Sequence, residues 1–424
     1  MQVKQKETFI QSFGGLNFIH DYLKSNNFST LALNHLGKRS VTAKYSYGDL
    51  LRQLFYITAI GGDTLDESNY LKYQLQDHPD LKIASPDTIE YAFQQLRQPT
   101  QSITAASGAI HQINQHGGFN KLLVTLCEKF LLTSGSSYMM DYDGHMVENT
   151  KADNAFTYKQ TEGYYPVVCS ISKMPVYMQN RNGNTPESYN QKAVIEAAIN
   201  NCNEKNIYIN AFRADACCYE KSTVEYLESQ NITYYIRAEN CRSLMDALTD
   251  EPDWLPGMLG DRKVEVCSLE ERIFGQQKYR RIVAYRYKQK GQLTIDDTDG
   301  YRYYAIVTSD KETSPLECIN LYNQRGCHGE HHFEELDHDF NWNKLPFDNI
   351  ELNTIYMYAM LVAYLLFNAV KITFAKAISY INKTMRIKNF ILHFVTLPAK
   401  WIRTGRRWVL NIYTTKDYRP LWSS

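Results

Sequence analysis

Apolar residues recur at helical spacing through the first third of the chain, as in Leu16, Phe18, Ile19, Tyr22 and Leu23 and again in the run YGDLLRQLFYITAI. Another helix opens at SPDTIEYAFQQL, with Ser85 as its capping residue and Pro86 at the first helical position. Residues 1–132 therefore read as helical. Short helices joined by polar turns suit a helix-turn-helix DNA reader and a plain helical bundle equally well. Between Gly135 and Glu239 the pattern changes. SSYMMDYDGH, YYPVVCSISK and PVYMQNRNG read as successive strands separated by polar and Gly-containing turns. NQKAVIEAAINNC reads as a helix, NIYINAFRADA as a strand, YEKSTVEYLESQ as a helix and ITYYIRAE as a strand. The predicted order β-β-β-α-β-α-β gives a mixed sheet with helices on its faces, the order a ribonuclease-H-like core requires.

Strand-like text returns in residues 240–315, with RKVEVCSLEERI, YRRIVAYRYKQ and YRYYAIVTS, and predicts an inserted sheet. ECINLYNQRG then leads into a long helical region that includes the apolar run IYMYAMLVAYLLFNAV, residues 355–370. That run is shorter than the roughly 20 residues a bilayer requires and carries three tyrosines, which favours a helix buried in a soluble core over a membrane span. The predicted division is a helical N-terminal DNA-binding region (1–132), a first core part (133–239), a β-rich insertion (240–315), a second core part with a glutamate-bearing helix (316–375) and a basic C-terminal region (376–424). In the last of these, WIRTGRRWVL reads as a helix with Arg403, Arg406 and Arg407 on one face.

Net charge is zero over 424 residues, so composition alone announces no polyanionic partner. Its distribution does change the picture. From Lys371 onward eleven Lys and Arg face one acid, Asp417, so this end carries +10 and the rest −10. Such an asymmetry suits a basic end that meets nucleic acid, and equally a solvated face. Nine cysteines without CxxC pairs read as reduced thiols of a cytosolic protein, and the N-terminus lacks a secretory apolar run. No GxxxxGK[ST] motif is present, so no nucleotide cofactor is implied.

The candidate chemistry lies in carboxylates at element ends. Asp141 and Asp143 sit two apart near the end of one strand and so share a face, Asp215 closes another strand, and Glu330 opens a probable helix. Acids at strand ends are common on solvated edges, and none of these identifies a site alone. Converging, they would need cations to neutralise them, and hard oxygen ligands suit magnesium or manganese. Cys327, His328, His331, His332 and His338 crowd around Glu330 but fit no paired zinc spacing. Trp254, in EPDWLPG, reads as a loop residue packing on its own sheet in preference to one stacking on a flipped base.

Taken together, DYDGH, KQTEGYYP, NRNGN, FRADACC, YYIRAEN and YNQRGCHGE make the region from Ser137 to Trp342 resemble the DDE transposases of bacterial insertion sequences, in the branch with a Tyr-Arg-Glu-Lys signature; GGLNFI and SPDTIEYAF look like the same family. The resemblance implies a ribonuclease-H-like α/β core whose metal-binding and catalytic acids are Asp143, Asp215 and Glu330, holding two Mg2+ or Mn2+ ions. It makes Asp143 the first acid in preference to Asp141. Tyr322 and Arg325 correspond to the family's DNA-phosphate contacts, with Arg403, Arg406 and Arg407 as further phosphate contacts in the basic tail. Two departures stand out: Arg325 and Glu330 have four residues between them where the family usually has three, and Asp337 stands where the signature lysine is expected.

The implied function is cleavage of an insertion sequence's ends and their joining to target DNA. Its partners are double-stranded DNA (terminal inverted repeats and target), bound by a homodimer on paired ends in the bacterial cytoplasm at the nucleoid, without a membrane. A metal-dependent nuclease on the same core and an inactive DNA-binding relative are the alternatives.

Overall fold

The structure is a computed structural model that describes all residues except 6, 106–107, 158, 289–299, 326–330 and 423–424. Among the described residues an eleven-stranded mixed sheet runs through the molecule. At its centre the Ser137–Gly144 strand lies parallel to Tyr208–Ala214, which lies parallel to Thr233–Arg237. On the other side Val167–Ile171 pairs antiparallel with Ser137–Gly144, and Met174–Arg181 pairs antiparallel with Val167–Ile171. The helices Gln191–Asn203 and Lys221–Ser229 connect these strands in the order the sequence predicts. The interior strands read as almost unbroken apolar runs because both faces are covered: every residue of Val167–Ile171 is buried.

The predicted insertion joins this sheet. Tyr301–Thr308 pairs antiparallel with Thr233–Arg237, and Tyr279–Lys288, Arg262–Arg272 and Leu255–Leu259 follow outward. A separate inserted sheet was expected; instead its four strands extend the core sheet beyond Thr233–Arg237, and the Asp143 and Asp215 strands remain direct neighbours. Trp254 packs on this extension, with the Arg286 guanidinium 4.2 Å above its ring and Tyr303 edge-on at 5.8 Å.

The N-terminal region is less uniformly helical than its pattern predicts. Gly15–Ser25, Phe28–Leu36, Tyr47–Ala59, Pro86–Leu96 and Gly117–Phe130 are helices, but Gln101–Thr104 and Ile110–Asn114 form a hairpin. Its second strand docks on Met174–Arg181 through Ile113 and Asn114. These strands are short, and Gln101–Thr104 is exposed throughout, so an available sheet edge decides their conformation. Ser46 and Asp49 close a capping box on Tyr47–Ala59, while the Ser85 hydroxyl bonds Thr88 Oγ1 instead of a backbone amide.

The apolar run lies in the 25-residue helix Ile350–Phe374, capped by the Asn349 side chain on the Leu352 amide. Most of it is buried by protein, 94 % of its most apolar window. The helices Tyr47–Ala59 and Gly117–Phe130 and the strand Met174–Arg181 surround it, which explains its lack of a polar face. Asn180 Nδ2 donates to Thr354 Oγ1 at 2.9 Å, fixing the helix on the sheet.

The C-terminal region corrects a second expectation. WIRTGRRWVL is an antiparallel hairpin, Ala399–Thr404 with Arg407–Ile412, not a helix. Gly405 opens the two-residue turn at φ +60, a conformation that favours glycine. Arg403 pairs with Trp408 and Thr404 with Arg407, so Arg403 and Arg407 point to opposite faces and Arg406 occupies the tip. Trp401 anchors the hairpin: its Nε1 donates to Asn17 Oδ1 at 3.1 Å and its ring meets His78 edge-on at 5.1 Å.

Candidate active site

Parallel register brings two of the predicted acids together. Asp141 lies opposite Arg213 and Tyr142 opposite Ala214, so Asp143 and Asp215 leave the same edge of the sheet from adjacent strands. The carboxyl ends of parallel strands are where α/β sheets open a crevice. Asp215 also caps the turn Ala216–Cys218, with Oδ1 accepting from the Cys217 amide at 2.9 Å.

The same strand separates Asp141 from Asp143 by environment. Asp141 is buried in a two-pronged pair with Arg213, at 2.7 and 2.8 Å, and Arg213 also donates to the Leu321 carbonyl. This pair ties both central strands to the helix Pro315–Arg325, leaving Asp141 no free face. Asp143 is only half-buried, and Arg325 Nη2 donates to its Oδ1 at 2.6 Å. Burial works against the Arg325 charge, but the carboxylates of Asp143 and Asp215 hold it above the ordinary arginine value. Tyr322, one turn earlier on the helix, has its hydroxyl pushed up by burial, with Arg325 opposing, so it stays a neutral hydrogen-bonding group.

Asp215, Tyr322 and Arg325 line a cleft of about 330 Å³ whose other wall includes Arg237 at the end of the core strand Thr233–Arg237 and Tyr285 and Tyr304 from the sheet extension. Tyr285 and Tyr304 stack at 5.0 Å, and Arg237 lies 5.2 Å over Tyr304. The extension therefore shapes the site although it contributes none of the predicted acids.

Glu330 lies outside the described residues, as do Cys327 and His328. The helix His331–Asp339 begins immediately after it. Asp337, at the place expected for the signature lysine, pairs with His145 Nε2 at 2.7 Å, and the His145 ring stacks on Phe333 at 4.5 Å. An acid there fastens this helix to the residue two beyond Asp143; a lysine would face an imidazole donor and lose that pair.

Glu187 is a residue that sequence reasoning missed. It lies in the turn between Met174–Arg181 and Gln191–Asn203. Arg181 holds the turn by donating to the carbonyls of Pro186 and Glu187 at 2.9 and 3.1 Å, and Tyr142 Oη donates to the Glu187 carbonyl at 2.7 Å. One ligand atom each of Glu187, Asp215 and Cys217 falls within 4.8 Å of the others. Burial, then the Asp215 charge, raises the Glu187 pKa, while burial keeps the Cys217 thiol protonated. Its only sequence signal was position: the turn NRNGNTPE follows a core strand.

A mixed sheet whose adjacent parallel strands each end on an aspartate, beside a tyrosine- and arginine-walled cleft, defines an α/β protein with an acidic, oxygen-rich centre. The chain belongs to the family "Transposase DDE domain group 1", whose model matches residues 1–423, and it is a DDE transposase. No curated protein matches the sequence. Among solved structures it is similar to "Cryo-EM structure of piggyBac transposase synaptic complex with hairpin DNA", at 10% identity over 90% of this chain and 79% of that one, with a TM-score of 0.43.

Proposed function

We propose that this transposase acts on a bacterial insertion sequence, cleaving the element's ends and joining the freed 3′ hydroxyls to target DNA, from a ribonuclease-H-like core. Asp143, Asp215 and Glu330 would hold two divalent ions, Mg2+ or Mn2+. The oxygen donors fit hard cations: two carboxylates leave adjacent strand ends side by side, and Arg325 pairs with one of them. When bound, such ions activate a water or hydroxyl and stabilise the leaving oxygen of a phosphodiester. Arg325 and Tyr322 serve as the phosphate clamp; Arg325 pairs with Asp143 and lines the cleft that a phosphate would enter. Duplex DNA, in the form of terminal repeats and target, is the partner, with a homodimer assembling on paired ends in the bacterial cytoplasm at the nucleoid. The N-terminal helices and the basic C-terminal residues Arg403, Arg406 and Arg407 contribute DNA contacts.

The register that sets Asp143 beside Asp215 is the observation that carries this reading. Its test is a cleavage assay on a duplex containing the DNA that flanks the gene. Wild type should release a 3′ hydroxyl at the element end with Mg2+ or Mn2+ and none in EDTA, and should join that end to a second duplex. Cleavage without joining would identify a nuclease, and binding without cleavage an inactive relative.

A further inference from the structure

We infer that Glu187 is a fourth carboxylate of the metal centre, sharing with Asp215 a divalent cation of the magnesium or manganese type; the inference rests on the metal reading proposed above. Three independent features of the packing converge on it. Glu187 is 8 % exposed, yet its Oε1 is buried without a hydrogen-bond partner, while Oε2 accepts from Tyr165 Oη at 3.2 Å and the Cys217 thiol and Gly144 amide lie close enough to favour the charged form. Buried polar atoms are rarely left unmatched, and those that are commonly await a ligand or ion. Its carboxylate is also held against that of Asp215, with their ligand atoms inside the 4.8 Å cluster, and among the described residues no Lys, Arg or His forms an ion pair with either. Arg325 forms its ion pair with Asp143, and its charge reaches Asp215 and Glu187 only through space.

The third feature is Gly144. A Cβ on that residue would stand 2.8 Å from Glu187 Cδ and 3.0 Å from Oε2. The residue following Asp143 thus has no side chain where the Glu187 carboxylate lies, which lets Glu187 sit between the two aspartate-bearing strand ends. A glutamine could accept from Tyr165 without placing a charge against Asp215. Two facing carboxylates with an unused buried oxygen suit a hard cation. Cys217 completes the cluster geometrically, but a soft sulfur is the poorer donor for such an ion and oxygen is preferred.

The test uses the full chain without DNA and Mn2+ as probe, with free ion followed by electron paramagnetic resonance and melting compared in EDTA and in Mn2+. Glu187→Gln should weaken Mn2+ binding by about tenfold or more, and Glu187→Asp should recover part of the loss. In EDTA, Glu187→Gln should melt at or above wild type because the charge facing Asp215 is gone, while its Mn2+-induced rise in melting temperature disappears. Wild-type Mn2+ affinity in Glu187→Gln, with loss in Asp215→Asn, would overturn the inference and leave the three-acid centre standing. Wild-type affinity in Asp215→Asn as well would bring down both. A lowered EDTA melting temperature with unchanged Mn2+ affinity would make Glu187 structural and overturn the inference too.

Discussion

Arginine serves two ends of this molecule in opposite ways. At the acid edge Arg181, Arg213 and Arg325 are buried or nearly so, and each is held by named partners: Arg181 by carbonyls and Gln179, Arg213 by Asp141, Arg325 by Asp143. On the C-terminal hairpin Arg403, Arg406 and Arg407 are all exposed, and among the described residues none forms an ion pair. A buried guanidinium left without its carboxylate is strongly destabilising, whereas an exposed one contributes little to folding and keeps its donors available for a phosphate. Arg181 and Arg213 are thus architecture around the acid edge, Arg325 lines the cleft where the proposed phosphate clamp acts, and the hairpin set is surface free for a polyanion.

The contrast breaks most completely at the acids themselves. Asp143→Asn, Asp215→Asn and Glu330→Gln should each abolish metal-dependent end cleavage, measured on labelled duplex, while gel-shift binding to the element end persists. Three active single variants would end the catalytic assignment.

Asp141→Asn tests the architectural side of the same strand. It leaves Arg213 buried with a neutral partner and should cost about 3–5 kcal/mol of stability in urea titration, with cleavage per folded molecule retained. A fully stable but inactive Asp141→Asn would exchange the roles of Asp141 and Asp143.

A pH titration probes where the hairpin meets the N-terminal helices. His20 and His78 face each other edge-on, His20 Nδ1 pairs with Tyr56 Oη, His78 Nδ1 accepts from the amides of Asp80 and Leu81, and His78 touches Trp401. Burial, aided by Arg52, holds His20 down to about 3; burial, with Asp80 opposing, holds His78 down to about 4. Both folded values lie below the unfolded value of 6.5, so the unfolded chain takes up these protons first. Their contribution is present above pH 6.5 and is lost as pH falls from there toward 4 and then 3, on the order of a few kcal/mol together. His20→Gln with His78→Gln should flatten that part of the stability profile; an unchanged acid limb would place the acid sensitivity elsewhere.

The smallest stability effect belongs to the hairpin. Arg403, Arg406 and Arg407 replaced by alanine should change stability by no more than about 0.5 kcal/mol while weakening binding to all duplexes alike. Because Arg403 and Arg407 face opposite ways, one duplex reaches the tip and a single face, so the log–log salt slope should become shallower by about 0.9 for each of two phosphates. A lowered melting temperature with an unchanged slope would make these arginines part of the fold, and loss confined to the terminal repeat would make them base readers.

The sequence by itself determined what depends on local pattern. Strand-like runs and Gly-containing turns located the core strands, the order β-β-β-α-β-α-β followed, and the 350–374 helix was legible because no charged residue interrupts its apolar run at 355–370. Local pattern placed acids at 143 and 215 near strand ends, but the family resemblance, not the pattern, singled them out as candidates. The hairpin at 399–412 was also written locally, in Thr-Gly between aromatic and β-branched residues, but spacing of i, i+3 and i+4 among three arginines imitated a helix face. Tertiary structure alone decided the rest. Whether residues 255–308 form their own sheet or extend another depends on which edge their outer strand meets, and the edge of Thr233–Arg237 was open. Asp141 and Asp143 share a face and a residue type, and only the arrival of Arg213 from the neighbouring strand gives them different environments. Glu187 lies 28 residues before Asp215 in a turn without periodicity. Its carboxylate meets the acid edge because Arg181 and Tyr142 hold that turn over Gly144, a long-range packing relation that no local pattern encodes.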